Sequence, residues 1–385
     1  MVQTLEATRQ DPPPPAPVPD RPNRRVSIPL DSALELGFSV ISAVALVWFS
    51  FAVAGIVGAL GFATCCLAGS FVIYGFVCWR LHGVLLMKDR LATLAIWSGA
   101  FVAFIPLVAV IWFVVFKGGP VVVAHFPGFF LKDFARFQAN APVTAVGAGA
   151  AIVGTMEQVG LATLFSVPLG ILTATYLVNN RNVFARLVSN VVDAMSGAPA
   201  IIPGIYVYLL WVRPQKETGQ TGFAAALALS VMMLPIVTRA AQEVISIVPG
   251  SLREAALALG SPQWRSELRV TLPTARIGLV TAMILGIARV AGETAPVFLN
   301  TGGNPNYNWN PFSGKQDDLP FRIYQMIQQP GVNSTREAWG VSFVLVLVVV
   351  FLFFLARLIG SKKPGPSRWR RLFAARKRLA QGNEQ

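Results

Sequence analysis

Two charged side chains, Arg289 and Glu293, stand four residues apart in the otherwise apolar run ILGIARVAGETAPVFL at 284–299. In a helix, residues four apart share a face, one turn above the other. An arginine at the centre of a membrane helix costs about 2.5–3.5 kcal/mol on insertion scales, and a carboxylate costs a similar amount. Such groups either pair with each other or face a water-filled path. A guanidinium keeps its charge at every relevant pH and presents a fork of donors matched to tetrahedral oxyanions. A structural pair holding a bundle together uses the same two residues, although Arg before Glu is the weaker order for pairing within one helix.

The elements that carry such a pair follow from composition. Charged residues make up 13% of the 385 and hydrophobic residues 54%, and the apolar residues come in runs of about 20, the length that crosses a hydrocarbon core. The chain therefore reads as an all-α integral membrane protein, a polytopic helical bundle. The net charge of +14 does not point to nucleic acid, because the basic residues fall in short clusters between apolar runs, as the positive-inside rule requires. Cys65, Cys66 and Cys78 lie in one apolar run and read as small packing residues. His82 and His125 are expected in different loops, so no metal constellation is expected.

Eight spans are expected, at 36–56, 59–79, 91–116, 146–178, 187–211, 222–245, 277–299 and 340–359. The first two are either a hairpin turned at GALG or one long kinked segment. The fifth is interrupted by SGAPAIIPG, which is either an ordinary proline kink or a re-entrant, unwound piece. Pro168, Pro199, Pro203 and Pro235 fall within their spans. Placing both termini in the cytoplasm gathers the Lys- and Arg-rich segments NRR, RLHGVLLMKDR, NNRNVFARL, 239–276 and the final SKKPGPSRWRRLFAARKRL on the inner side. The opening residues 1–30 are proline-rich and polar and are expected to be an extended, disordered tail. The basic tail at 361–385 reads as a topology anchor, with anionic-lipid binding as the alternative.

The loop VPGSLREAALALGSPQWRSELRVTLPTARIG, between the sixth and seventh spans, reads as two short helices. Ser251 and Glu254 have capping-box spacing, Gly260 is a left-handed stop, Ser261–Pro262 start a second helix and Pro273 closes the unit. EAALALG, nine residues and then VTLP resemble the EAA signature of permease subunits of ABC importers, with Val270 replacing an isoleucine. Glu254, Ala255, Ala256, Gly260, Leu272 and Pro273 match in place. In that family the element is a coupling helix that docks on a cytoplasmic ATPase. The chain has no G-x-x-x-x-G-K-[ST] loop, so ATP and Mg are expected on the partner and no cofactor on this chain.

ARVAGETAPVFL resembles the AR-x-x-GETAP segment of PstA-type permeases of phosphate ABC importers, and the resemblance extends over 154–357. It implies a type I (MetI-like) importer permease core of about six spans. It also implies a substrate path through Arg289, Glu293, Thr294 and, in VTRAAQ, Arg239. The implied partners are a cytoplasmic ATPase dimer, a second (PstC-type) permease subunit, an extracytoplasmic phosphate-binding protein and the lipid bilayer. Domains are expected at 1–30 (tail), 31–80 (an additional two-span hairpin), 88–360 (permease, with the coupling loop at 248–275) and 361–385 (basic tail), in the inner membrane. The alternatives within transport are the sister subunit or a permease for another oxyanion. An intramembrane enzyme using Glu293 lacks a nucleophile partner. A non-transporting scaffold rests only on the extra hairpin and basic tail. The outer loop NTGGNPNYNWNPFSGKQDDLPFRIYQMIQ either contacts a binding protein or merely connects two spans.

Overall fold

The computed structural model describes residues 30–55, 57–135 and 147–361. The expected tails, 1–30 and 361–385, fall outside the described residues apart from Leu30 and Ser361. Among the described residues the chain is helical, with one isolated bridge between Gly302 and Gln316 and no strand. It forms two compact units that divide between Val108 and Ala109.

The first unit holds α1 (Leu30–Ala54) and most of α2 (Ala59–Phe113). Gly55, with φ +63°, ends α1. Beyond the turn the chain doubles back, so that Gly69 lies against Ala43 and the Phe62 ring meets Phe51 edge-on at 5.6 Å. The hairpin alternative therefore holds. A second reversal occurs at Gly83 (φ +82°, ψ 174°), a left-handed conformation that only glycine adopts cheaply. Gly75 and Leu91 touch across it, whereas a straight helix would hold residues 16 apart about 24 Å from each other. The expected loop RLHGVLLMKDR is thus helical on both sides of a one-residue break, and His82 sits on a helix. Glu35 pairs with Arg90 at 2.5 Å and lies 3.6 Å from His82, tying α1 to both limbs of α2.

The second unit begins with a π turn, Val114–Gly118, and a short helix, Gly119–Ala124. Its main helices are α3 (Gly149–Asn179), α4 (Val183–Gly197), α5 (Ile201–Val207), α6 (Gly222–Ser246), α7 (Gly250–Ala258), α8 (Leu272–Ala291), α9 (Ala295–Thr301), α10 (Leu319–Gln328) and α11 (Val332–Ser361). Among the described residues six helices are long and apolar enough to cross a membrane, and a pair bent by 108° is a seventh candidate, as a broken span or a re-entrant loop. One of the six is the 66-residue stretch Ala59–Ala124. Dividing it at Gly83, and counting the bent pair as one span, gives eight candidates, the number expected.

The core centres on α6, with 61% of its apolar window buried against 33% for the next span. Lipid tails are as apolar as leucine, so close backbone approach, not water exclusion, drives this packing. Ala224, Ala225, Ala226 and Ala228 are fully buried. Gly170 of α3 and Gly286 of α8 both press on Val237, and Ser166 Oγ donates to Ser230 O at 3.0 Å.

The 302–318 loop is packed onto the bundle. Gly154 abuts the Asp317 carbonyl and Gly222 the Gln316 side chain, while Leu319 N–H donates to Thr155 Oγ1 at 2.9 Å. Gln316 Nε2 donates to Glu157 Oε2 at 2.5 Å, and Gln158 Nε2 donates to Gln316 Oε1 at 3.1 Å. Arg322 Nε donates to the buried Asp317 Oδ2 at 2.6 Å, with its guanidinium 4.5 Å above the Phe134 ring. Burial pushes the Asp317 carboxyl up to about 6 against the opposing pull of Arg322. Burial, and then the Asp317 charge, raise Asp318 well above the usual carboxylate range.

Both carboxyls hold their protons more tightly folded than unfolded, where an aspartate titrates near about 3.9. Their contribution to stability is present below the unfolded value and is lost as pH rises through the folded value. Asp318→Asn keeps an oxygen to accept from Phe321 N–H, a 3.0 Å bond in the native loop, and removes the charge. It is expected to raise the Tm of the purified transporter at pH 7.5 and to have no effect near pH 4; a gain of equal size at both pH values contradicts the assignment.

Candidate functional site

The helix that carries Arg289 stops at Ala291. Gly292 lowers helix propensity, and Pro296 in the first turn of the next helix cannot donate to a continuing ladder. The chain turns at 292–294, with Glu293 N–H donating to Val290 O at 3.1 Å, and restarts as α9. The expected continuous span 277–299 is therefore broken, and Glu293 lies on the connector, not on the helix face of Arg289. The two still meet, Arg289 Nη1 donating to Glu293 Oε1. The arginine side chain is 57% exposed and the carboxylate 13%. Thr294 stands at the start of α9 without capping it through its side chain.

A second interrupted helix packs against this one. The fifth expected span divides into α4 and α5 around Ala198–Ala200, and the two pieces are bent by 108°. The alternative of a broken or re-entrant piece thus holds over an ordinary kink. Pro168 and Pro235 leave α3 and α6 continuous. Gly204 of α5 sits against the Pro296 backbone, and Asn300 Nδ2 donates to Gly204 O at 3.0 Å and Pro296 O at 2.7 Å. The restarted halves of both helices are pinned together beside the Arg289–Glu293 pair.

Arg239 is engaged elsewhere. From α6 its Nη2 donates to Asp193 Oδ1 at 2.5 Å and Ser189 Oγ at 2.9 Å, and its Nη1 donates to Gln242 Oε1 at 2.7 Å. It fastens α4 to α6 and shares no partner with Arg289. Asp193 is 62% exposed, so solvent screens this pair and its contribution to stability is small.

On the loop after α6, Glu254, Ala255 and Ala256 lie on α7, and Gly260 adopts φ +77° after it. The expected caps are not formed. α7 starts at Gly250 directly after Pro249, and the next helix at Gln263 directly after Pro262, neither with a side-chain cap. Each proline is extended (ψ 127° and 151°) and takes the cap position itself, leaving Ser251 inside the helix and Ser261 ahead of the next cap, so Glu254 stays exposed instead of reaching back. Pro273 does not close the unit either. Gln263–Ser266, a π turn at Glu267–Thr271 and α8 run on as one 29-residue helix. The π turn shifts Leu272 N–H onto Glu267 O, a local rearrangement of the ladder just ahead of the proline that would otherwise disrupt it.

Sequence reading missed the brace inside this element. Arg253 of α7 reaches Glu267 of the π turn at 2.7 Å, where the carboxylate is 8% exposed. The contact is an ion pair without hydrogen-bond alignment, since neither Glu267 oxygen has an aligned donor. Both residues fall within the quoted motif, but fourteen positions of separation across two helices carry no periodic signal.

Residues 166–361 match the family of binding-protein-dependent transport system inner membrane components. The chain is 35% identical to phosphate transport system permease protein PstA 1 of Mycobacterium tuberculosis over 71% of its own length and 88% of that protein's. It is 33% identical to PstA of Mycobacterium leprae over 68% and 85%, and 34% identical to PstA of Haemophilus influenzae over 55% and 75%. Among solved structures, an inward-facing MetNI methionine ABC transporter chain matches with a TM-score of 0.39 and 22% identity, over 55% of this chain and 90% of that one.

Removing one partner of a buried ion pair costs about 3–5 kcal/mol, because the remaining charge stays buried. Arg253→Ala is therefore expected to lower the Tm of the complex clearly, and Arg253→Ala with Glu267→Leu to recover most of the loss in the same thermal assay.

Proposed function

The chain belongs to the PstA family of phosphate transport permeases, and from that premise we propose how it handles phosphate and how it is driven. It is a permease subunit of a phosphate ABC importer, with no catalytic role of its own. One observation carries the proposal: at a break between two helices, the Arg289 side chain is more than half exposed while its counter-charge, Glu293, is mostly buried. A cation held this way can accept a phosphate oxyanion through its open donors without ever being an unpaired charge in the membrane. Glu293 limits the depth of the well, so that the anion is admitted and also released. Thr294 adds a hydroxyl at the break, and Arg239, held by Asp193 of α4 near the end of α6 that leads into the coupling loop, adds a second cation apart from the first.

A PstC-type permease subunit closes the other side of the path, and an extracytoplasmic phosphate-binding protein delivers the anion. A cytoplasmic ATPase dimer binds ATP and Mg and docks on the coupling element through Glu254, Ala255, Ala256 and Gly260, with Leu272 and Pro273 passing the push into α8. The exposed Leu252, Leu257, Leu259 and Trp264 around α7 support this docking. The permease domain spans 88–360, with the coupling loop at 248–275 and the 31–80 hairpin as an addition to it. Both termini lie in the cytoplasm and the protein sits in the inner membrane, a reading that the distribution of Lys and Arg supports.

Arg289→Gln is expected to lower phosphate uptake by about a hundredfold, the loss of charge-assisted contacts worth about 3 kcal/mol, while the complex still assembles. Full uptake by that variant, measured with labelled phosphate in proteoliposomes, removes Arg289 from the mechanism. Gly260→Val forces a β-branched residue into the left-handed region, at a cost of about 1–2 kcal/mol. It is expected to leave ATP hydrolysis running while uptake falls, and normal uptake by an assembled variant sinks the coupling assignment.

A further inference from the structure

A groove of about 630 Å³ lies between the segment following α2 and the start of α11, and Phe116, Lys117, Pro120, His125, Arg336 and Trp339 contribute to its walls. Its shape comes from the π turn at Val114–Gly118. Gly118 brings the backbone so close to the Trp339 carbonyl that a Cβ there would collide with it. The widened turn carries Lys117 to 5.0 Å from the centroid of the Phe113 ring and 5.3 Å from that of Trp339. His125 Nδ1 donates to Val121 O at 2.7 Å, which leaves Nε2 as the ring's other polar contact. Arg336 is exposed on α11. No acidic side chain lines the groove, and Glu337, next in sequence to Arg336, is buried on the face of α11 that carries Val341 and Val344. Among the described residues, neither Lys117 nor Arg336 makes an ion pair.

The position of the groove is as informative as its charge. Lys117 follows the apolar run 91–116, and Arg336 stands in the second turn of the apolar α11. Phe116, Val123, Phe126 and Val332 are all exposed around it. It therefore lies where two spans end, at headgroup depth, where tryptophan and basic side chains meet the membrane surface. Ordinary interfacial anchors are scattered singly. Here two permanent cations and an imidazole converge, and one cation is held over two aromatic faces.

We propose that this groove binds the phosphoryl headgroup of an anionic phospholipid, with Lys117 and Arg336 on its oxygens and the acyl chains along the exposed apolar rim. Inorganic phosphate shares the oxyanion chemistry, but the apolar rim favours the lipid. The proposal rests only on the chain spanning a membrane and stands apart from the role given to Arg289.

The test is native mass spectrometry of the assembled, delipidated transporter given phosphatidylglycerol or phosphatidylcholine. The wild type is expected to retain phosphatidylglycerol preferentially. Lys117→Gln with Arg336→Gln is expected to lower that retention by about 25-fold, roughly fivefold for each cation. Lys117→Arg with Arg336→Lys is expected to keep it. Should the double variant fail to assemble, Arg336→Gln alone, at an exposed position, gives the reading. Unchanged retention in the charge-removed variant overturns the proposal. Displacement of the bound lipid by millimolar inorganic phosphate also overturns it, because the groove then serves the free anion.

Discussion

A bilayer core offers no water to hydrogen-bond stray backbone groups, so irregular backbone survives there only when packed against protein or lining a wet cavity. This constraint organises the second unit. Two helices are interrupted, at 198–200 and at 292–294, and prolines at 199, 203 and 296 remove donors close to each break. The interruptions are placed together. Gly204 lies on the Pro296 backbone, and one buried side-chain amide, that of Asn300, donates to a carbonyl on each restarted helix. Each break thus supplies part of the other's solvation. The Arg289–Glu293 pair stands where the backbone is already irregular and a polar path is cheapest to build.

That arrangement is possible only because α6 presents small residues to its neighbours. Gly170 and Gly286 approach Val237 from two helices, and Gly278 approaches Val244 lower on the same face. The alanines at 224, 225, 226 and 228 complete a surface with almost no side-chain relief. Because this core gains from contact distance and not from excluded water, it depends on backbone geometry more steeply than a soluble core of equal volume. The loop at 302–318 extends the same logic beyond the spans. Gly149, Gly154 and Gly222 admit Tyr307, Asp317 and Gln316 against the helix ends.

Sequence and structure agree where a single period carries the information. Apolar runs of about 20 residues located the spans, and Gly260 marked a left-handed stop that the backbone adopts. The Arg289–Glu293 pairing was legible from the four-residue spacing, although the helix ends between them and the contact is completed by a turn. Local rules failed where two of them competed. Ser251 and Ser261 are good caps in isolation, but the neighbouring prolines at 249 and 262 set the extended residue first. The Arg253–Glu267 brace, the Asp317–Arg322 pair and the Arg239–Asp193 clamp join separate elements. Such contacts depend on how separate elements are placed, not on any one motif; the Arg239–Asp193 clamp, for one, follows from α4 packing on α6.

The long helix of Gln263–Ala291 links the two ends of the molecule's chemistry. At 29 residues it runs about 44 Å. Its near end is braced to α7 through Arg253 and Glu267. Along its length Gly278 and Gly286 hold it in close contact with α6. At its far end the helix stops beside Arg289, and the chain there is a three-residue connector, not a continuing rod. If the loop after α6 carries the coupling role proposed for it, a tilt begun there would be felt at the break between α8 and α9. Arg289 sits on the helix and Glu293 on the connector, so the separation most sensitive to such a tilt would be the one between the cation and its own counter-charge.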